Sequence, residues 1–193
     1  MTDPHHMEVW LENHTTFYAI AYQHHGEVER LVHERDQRQL KTQADADFNA
    51  EINGHIERAA MVVVVFSALT LEAFINHYGI TRSSSNFYTE HLDKLSTPSK
   101  WRIVPRLLVG KELIRDGQTY QLLRDLFRLR HKLVHYKARV KHIRDLREQE
   151  DWVTEDHARN AIQAVRKAVE GLHSLDPAVG IDWLQEAESG RII

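Results

Sequence analysis

The sequence has no cysteine and is poor in residues that interrupt helices. The absence of cysteine from 193 residues excludes disulfide bonds, zinc sites built on thiolates and catalysis by a thiol. Only eight glycines and four prolines occur, and no run of alternating β-branched residues predicts a strand. These features favour an all-α fold, which we expect to be an antiparallel, up-and-down bundle of four main helices with shorter helices between them.

Long hydrophobic runs are also missing. The longest, residues 59–71, is interrupted by Ser67 and Thr70 and is too short to span a bilayer as a helix. The first residues do not show a basic segment followed by an apolar one, so the sequence does not predict a secretion signal. We therefore expect a cytoplasmic protein with no membrane association and a single domain over residues 1–193.

Apolar periodicity divides this domain into helical segments. The expected parts are a leader at 1–7, an N-terminal helix at 8–41, a core bundle at 45–175 and a tail at 176–193. Within the core, long helices are expected at 45–78, 119–138 and 154–174, and shorter ones at 87–95 and from Pro98 onward. Gly79 is expected to end the second helix, and Pro105 to kink or end the helix that begins at Pro98.

One helix carries residues that a folded core alone does not require. Residues 120–137 read Y-Q-L-L-R-D-L-F-R-L-R-H-K-L-V-H-Y-K and place most of their apolar side chains on one face. Arg130 projects into that face, between Leu133 and Val134, where it loses water unless other groups take over its hydrogen bonds. His135 follows at the edge of the same face. An arginine forced into an apolar face beside a histidine predicts a functional site.

Residues 130–135, R-H-K-L-V-H, resemble the R-x-x-x-x-H signature of the HEPN superfamily. In that signature Asn, His or Asp often follows the arginine directly, as His131 does here. The resemblance covers about residues 59–175 and implies a helical bundle that usually dimerises. In many members it also implies a metal-independent endoribonuclease without a cofactor. Catalytic roles then fall to Arg130 and His135, with His131 and Tyr136 in support.

One position departs from the pattern of HEPN toxins that are paired with nucleotidyltransferases. In those toxins a tyrosine often lies two residues after the histidine, whereas here Tyr136 is adjacent to His135 and Lys137 holds that position. Modification of a tyrosine by a partner enzyme is therefore not carried over. An antitoxin or a nucleotidyltransferase is still a candidate protein partner.

A carboxylate lies on an apolar face of another predicted helix. Glu72 shares a face with Asn76 at the end of a segment, residues 59–75, that is apolar nearly all round. Buried carboxylates are nearly always paired. We therefore expect Glu72 to form an ion pair with Arg130, with Asn76 beside it. The pair is either architectural alone or also orients Arg130 for function.

The chain becomes basic around and after the motif. Residues 124–147 contain nine lysines or arginines against two aspartates, in a chain whose net charge is −3. This pattern predicts a phosphate-binding surface, although a solvated helix face gives the same composition. The residues expected to contact RNA are Arg128, Lys132, Lys137, Arg139 and Lys141.

Arginine and histidine are the residue types that RNA cleavage requires. The 2′-hydroxyl of RNA is the nucleophile, histidine transfers protons near neutral pH, and a guanidinium stabilises the charged phosphorane. One histidine performs only half of the proton-transfer cycle. We therefore expect a homodimer that pairs two His135 side chains across one groove. The resemblance implies that the product is a 2′,3′-cyclic phosphate.

Two other readings are open at this point. The first is a non-catalytic HEPN-type module that binds RNA, a nucleotide or a protein partner in a toxin–antitoxin or defence system. The second is a metal site on His131 and His135, which has the H-x-x-x-H spacing but neither the glutamate of H-E-x-x-H nor an evident third ligand.

Overall fold

A computed structural model of the chain describes residues 13–38, 42–112, 117–135 and 153–191. Within these ranges the chain forms seven α-helices and no strand, which confirms the predicted all-α bundle. In chain order the helices are α1 (Asn13–Gln37), α2 (Gln43–Arg82), α3 (Ser85–His91), α4 (Thr97–Val109), α5 (Gln118–Val134), α6 (Glu155–Leu175) and α7 (Asp182–Glu188).

The two longest helices, α1 and α2, run antiparallel to each other. The Phe17 ring packs edge-on against Phe66 towards one end of the pair, with 5.9 Å between ring centroids. Towards the other end, Arg35 donates a hydrogen bond of 3.2 Å to the side chain of Asn53. Because the connection between the two helices is short, this arrangement is the one expected of neighbours in an up-and-down bundle.

Helix α6 packs against α1, α2 and α5. It runs antiparallel to α1, since Arg35 of α1 binds Glu155 and Glu29, further back in α1, binds Arg159. Helix α5 contacts α2 and α6 and completes the four-helix arrangement. The four long helices therefore sit where the sequence predicts them, with α2 and α6 in contact across the centre.

The core is built from small and branched side chains on α2 and α6. Ala60, Val63, Val64 and Leu71 of α2 are buried. They lie in one cluster with buried residues of α6, namely Ala161, Ala164, Val165, Ala168, Val169 and Leu172. Burying a side chain of the size of valine or leucine stabilises the fold by about 1.5–3 kcal/mol. The buried apolar side of α6 is thus what joins it to α2.

Helix α2 is long and apolar enough, by length and composition, to cross a membrane. Its most apolar stretch of 18 residues has 56% of its residues buried inside the bundle. The core helix of a globular protein has the same properties, so this composition alone carries little weight for a membrane span.

The prediction that Gly79 ends the second helix is wrong, because α2 continues through it to Arg82. Gly79 is buried instead against the ring of Tyr88 on α3. A Cβ atom added at this position would lie 2.4 Å from the Cε2 atom of that ring. Close contact with an aromatic ring, and not a left-handed turn, therefore explains the glycine.

The start of α4 is confirmed and its predicted interruption is not. Ser96 caps the helix, its hydroxyl accepting from the backbone N–H of Ser99, and Pro98 lies in the first turn. The helix does not end at Pro105 or at the residue before it, but continues to Val109. The ring of Pro105 is buried with the apolar side of α4, and the helix ends at Gly110, whose φ is 70°. Packing therefore offsets the backbone donor that proline lacks.

The last part of the chain also follows the prediction. Thr154 is the N-cap of α6, and its backbone N–H donates to Nδ1 of His157 at 3.1 Å. After Pro177 the tail forms the short helix α7, which packs against α1. Trp183 of α7 meets the ring of Tyr18 edge-on, at 5.5 Å between centroids, so the tail is docked on α1.

Candidate functional site

The motif lies at the C-terminal end of α5. Arg130 is half-buried in the last two turns, and its Nε atom is shielded from solvent without a hydrogen-bond partner among the described residues. His135 is the C-cap of the helix, and its backbone N–H donates to the carbonyl of His131. Val134 is 50% exposed. The face expected to be apolar is therefore a rim of the bundle at this point, open to solvent on the side of Val134.

Arg130 lines a cavity of about 440 Å³ between α5 and the beginning of α4. The wall formed by α4 consists of Ser96, Thr97 and Pro98. The wall formed by α5 consists of Tyr120, Arg124, Asp125, Phe127, Arg128, Arg130 and His131. Among the described residues it is thus His131, and not His135, that shares the cavity with Arg130. Sequence spacing alone assigned His131 only a supporting role.

The two histidines of the motif are in contact with each other. Their ring centroids are 4.6 Å apart with the ring planes at 47°, as expected for residues four apart on one helix. Both side chains are exposed. The sequence-based argument for pairing histidines across a dimer counted one histidine per chain. The structure brings two imidazoles together within a single chain, and one of them, His131, shares a cavity with the guanidinium of Arg130.

The predicted ion pair between Glu72 and Arg130 is not formed. Glu72 is half-buried on α2, and no hydrogen bond or ion pair of the described residues joins it to Arg130. The negative charge of its carboxylate instead affects the hydroxyl of Tyr88. Burial raises the pKa of the Tyr88 hydroxyl, and the negative charges of Asp93 and Glu72 raise it further. The helical period placed each residue on a face correctly, but those two faces are directed at different neighbours.

Asn76, the other predicted supporting residue on α2, belongs to a separate polar cluster. Its Oδ1 atom accepts from the hydroxyl of Tyr88 at 2.6 Å and from Nζ of Lys100 at 2.9 Å. Lys100 is only 4% exposed, and its Nζ lies 3.7 Å from Asp93. This cluster joins α2, α3 and α4 and so holds the first turn of α4 in place. Asn76 therefore helps to hold α4, whose first turn forms one wall of the cavity, but Asn76 itself does not line the cavity.

A second cavity, of about 310 Å³, lies on the other side of the same helix, between α5 and α6. Arg128 and Lys132 line it from α5, and His157 and Asn160 line it from α6. Two of the predicted RNA contacts thus lie together on this side, and Arg128 borders both cavities. Part of its charge is balanced by Asp125, whose carboxylate is 3.0 Å away.

The remaining predicted site residues cannot be placed. Tyr136, Lys137, Arg139 and Lys141 lie outside the described residues. Within the described ranges, no group of three or more histidines, aspartates or glutamates could hold a metal ion. The pair His131 and His135 accordingly has no third ligand in that part of the chain.

Sequence reasoning missed the contribution of α4 to this site. The residues 96–98, S-T-P, were recognised as a helix start, but nothing in their order indicates which helix they face. It also missed Tyr120, the first residue of the motif stretch, to which it assigned no role. The ring of Tyr120 lies within 5.4 Å of the Arg102 guanidinium carbon and 6.0 Å of that of Arg124, both measured from the ring centroid.

Because the comparisons with known proteins identify no relative, a proposal about function has to rest on the geometry of the site. No protein-family model, no curated protein and no solved structure matches the chain.

Proposed function

We propose that this chain is a metal-independent endoribonuclease of the HEPN type, with Arg130, His131 and His135 as its catalytic residues. The observation that supports the proposal is the arrangement at the end of α5. Arg130 and His131 line one cavity, and the ring of His135 lies 4.6 Å from that of His131. This combination contains the three groups that cleavage through the 2′-hydroxyl requires.

In the proposed reaction one imidazole removes the proton of the 2′-hydroxyl, and the 2′-oxygen attacks the adjacent phosphorus. The bond from phosphorus to the 5′-oxygen breaks, and the other imidazole donates a proton to that oxygen. The products are a 2′,3′-cyclic phosphate and a 5′-hydroxyl. Imidazole both accepts and donates protons, so the two histidines suffice as general base and general acid, and no metal or cofactor takes part in the proposed reaction.

Arg130 is proposed to stabilise the phosphorane. Its Nε atom is buried and has no hydrogen-bond partner in the described part of the chain, which costs about 1–3 kcal/mol in the free protein. Because Nε is shielded from solvent, a substrate phosphate would be bound by the terminal N–H groups of the guanidinium. A guanidinium keeps its charge at every relevant pH and binds phosphate through parallel N–H groups.

A second copy of the chain is the proposed partner in a homodimer. Helix α2 carries three half-buried apolar residues that lie outside the core cluster and share one side of the helix, Val62, Val65 and Leu69. Light scattering should therefore report twice the mass of one chain at micromolar concentration. Val65→Lys should shift the protein towards the monomer, whereas Ala50→Lys, at an exposed position of the same helix, should not. A monomeric parent protein would contradict the dimer but leave the single-chain site intact.

The proposed activity is tested with a 5′-labelled single-stranded RNA incubated with the purified protein in EDTA. Cleavage should continue under chelation, and mass spectrometry should find 2′,3′-cyclic phosphate ends. His131→Gln and His135→Gln should each slow cleavage by about 10²-fold or more, the usual contribution of a general acid or base. Arg130→Met should slow it by a similar factor. His33→Gln, at an exposed position of α1, is the control and should cleave like the parent.

The alternative proposal is a non-catalytic HEPN-type module that binds RNA, a nucleotide or a protein partner such as an antitoxin or a nucleotidyltransferase. The same experiment separates the two. Clean protein that binds the labelled RNA without cutting it, with and without EDTA, would favour the binding module in a cytoplasmic defence or toxin–antitoxin system. Cleavage that is unchanged in both histidine variants would remove the proposed mechanism.

A further inference from the structure

Several arginines lie around the α4–α5 cavity. Elsewhere on the bundle, four arginines form ion pairs that join separate elements: Arg35 with Glu155, Arg82 with Asp176, Arg159 with Glu29, and Arg166 with Glu188. At the cavity, none of the ion pairs of the described residues includes Arg102, Arg124 or Arg130. Three guanidiniums in or beside the cavity thus have no ion-pair partner among the described residues, whereas Arg128 is paired with Asp125.

The carboxylate of α5 that lines the cavity, that of Asp125, already has partners. Asp125 accepts a hydrogen bond of 2.9 Å from Gln121 and lies 3.0 Å from Arg128. Positive charges that are held close together without counter-charges repel each other in the free protein. An arrangement of this kind is stabilised when an anion binds.

An aromatic ring lies between two of these arginines. Tyr120 is half-buried in the first turn of α5 and lines the cavity. The guanidinium carbons of Arg102 and Arg124 are 5.4 Å and 6.0 Å from its ring centroid. Both arginines are exposed, so their side chains are open to solvent beside the half-buried ring. Aromatic rings and guanidinium planes are the groups on which unpaired bases stack.

From these contacts we propose that Tyr120, Arg102 and Arg124 form a subsite for one unpaired nucleotide of single-stranded RNA. Its base would stack against Tyr120 and a flanking guanidinium, and its phosphate would be directed along the cavity wall towards Arg130. The cavity of about 440 Å³ lies in the range of about 300–1,000 Å³ that is usual for small-ligand sites. The subsite rests on the proposed function, since it names the form of RNA that the site takes.

The subsite selects against duplex RNA for a physical reason. In a duplex both faces of each base are covered by neighbouring bases, so a base reaches Tyr120 only after it leaves the stack. A single strand has no such cost. The structure therefore assigns to the beginning of α5 the selection of unpaired segments, and to its end the chemistry of cleavage.

The test measures binding separately from cleavage. The probe is a fluorescent 2′-O-methyl oligoribonucleotide of twelve residues, which lacks the nucleophile and is not cut, and the comparison is the same strand in a duplex. Anisotropy should show tighter binding of the single strand. Tyr120→Ala should weaken that binding about tenfold, while Tyr120→Phe, which keeps the ring, should bind like the parent. Arg30→Gln, at an exposed position of α1, is the charge control.

Salt dependence provides a second readout. Arg102→Gln and Arg124→Gln should each weaken binding and lower the slope of log affinity against log salt by about 0.7, the value for one phosphate contact on a single strand. These variants also carry the test if Tyr120→Ala does not fold, which circular dichroism would reveal. Unchanged affinity in Tyr120→Ala, or equal binding of strand and duplex, would overturn the subsite.

The outcomes separate this inference from the proposed activity. Binding that depends on Tyr120, in a protein that never cuts RNA, would retain the subsite and remove the nuclease. Cleavage that depends on His131 and His135 but not on Tyr120 would retain the nuclease and remove the subsite. A parent protein that binds neither strand nor duplex would remove the subsite.

Discussion

At the scale of single residues, the most constrained polar atom near the site is Oδ1 of Asn76. It accepts from two buried donors, the Tyr88 hydroxyl and Nζ of Lys100. Asn76→Ala should therefore lower the free energy of unfolding by about 1–3 kcal/mol, because both donors lose their acceptor away from water. Denaturant unfolding measures the change. Asn53→Ala, which removes an exposed acceptor on the same helix, is the control and should change stability by no more than about 0.5 kcal/mol.

For Glu72 we expect the opposite, namely that its substitution changes the free energy of unfolding little. It is half-buried, and no hydrogen bond or ion pair of the described residues holds it. Glu72→Gln should leave the free energy of unfolding within about 0.5 kcal/mol of the parent value, because no partner charge is left behind. A loss of about 3–5 kcal/mol, the usual cost of breaking a buried ion pair, would show that Glu72 pairs in solution with a cation such as Arg130.

At the scale of helices, Gly79 decides how α2 and α3 meet. A methyl group there would lie 2.4 Å from the buried ring of Tyr88, so ring and helix would have to move apart. Gly79→Ala should destabilise the fold by about 1–3 kcal/mol, the range for overpacking, despite the better helix propensity of alanine. Gly26→Ala in α1 is the matched control. It has nothing within 4 Å and should stabilise by about 0.5–1 kcal/mol. Equal effects at both positions, seen by thermal unfolding, would contradict the close contact.

At the scale of the whole molecule, ion pairs between α1 and α6 link stability to pH. The hydrogen bond from Arg159 lowers the pKa of Glu29 below its usual value. A carboxylate with a lowered pKa in the folded state adds stability above its unfolded pKa of about 4.3, and this is lost as the pH falls through the folded value. Glu29→Gln should thus reduce stability at pH 7 and flatten its decline below about pH 4.5.

Chemical unfolding at several pH values between 7 and 3 measures this effect. Glu34→Gln is the control, because Glu34 pairs with Arg30 on its own helix and joins no two elements. It should keep the pH profile of the parent. If Glu29→Gln and the parent lose stability in parallel as the pH falls, the pair with Arg159 does not contribute to the acid dependence.

The elements of the fold were predictable because they depend on local patterns. The apolar periodicity of α2, α5 and α6 marks a buried face whatever the neighbour is, and the cap at Thr154 follows from residues that are adjacent in sequence. Gly79 was misread for the complementary reason. It is a local signal for a helix end, and this signal is overruled by close packing against the ring of Tyr88 on another helix. Of the two outcomes predicted for Pro105, a kink or an end, the helix does not end there.

The site divides along the same line. The sequence by itself determined that Arg130, His131 and His135 lie together, since spacings of one to five residues on one helix fix their relative positions. Tertiary structure alone decided what other elements contribute: the first turn of α4 forms a wall of the cavity, and Arg102 of α4 lies beside Tyr120 of α5. Among the described residues, it also left Glu72 without an ion pair to Arg130. The helical period fixes the face on which a residue lies. How far that helix is rotated and shifted against its neighbours depends on the packing of every side chain between them.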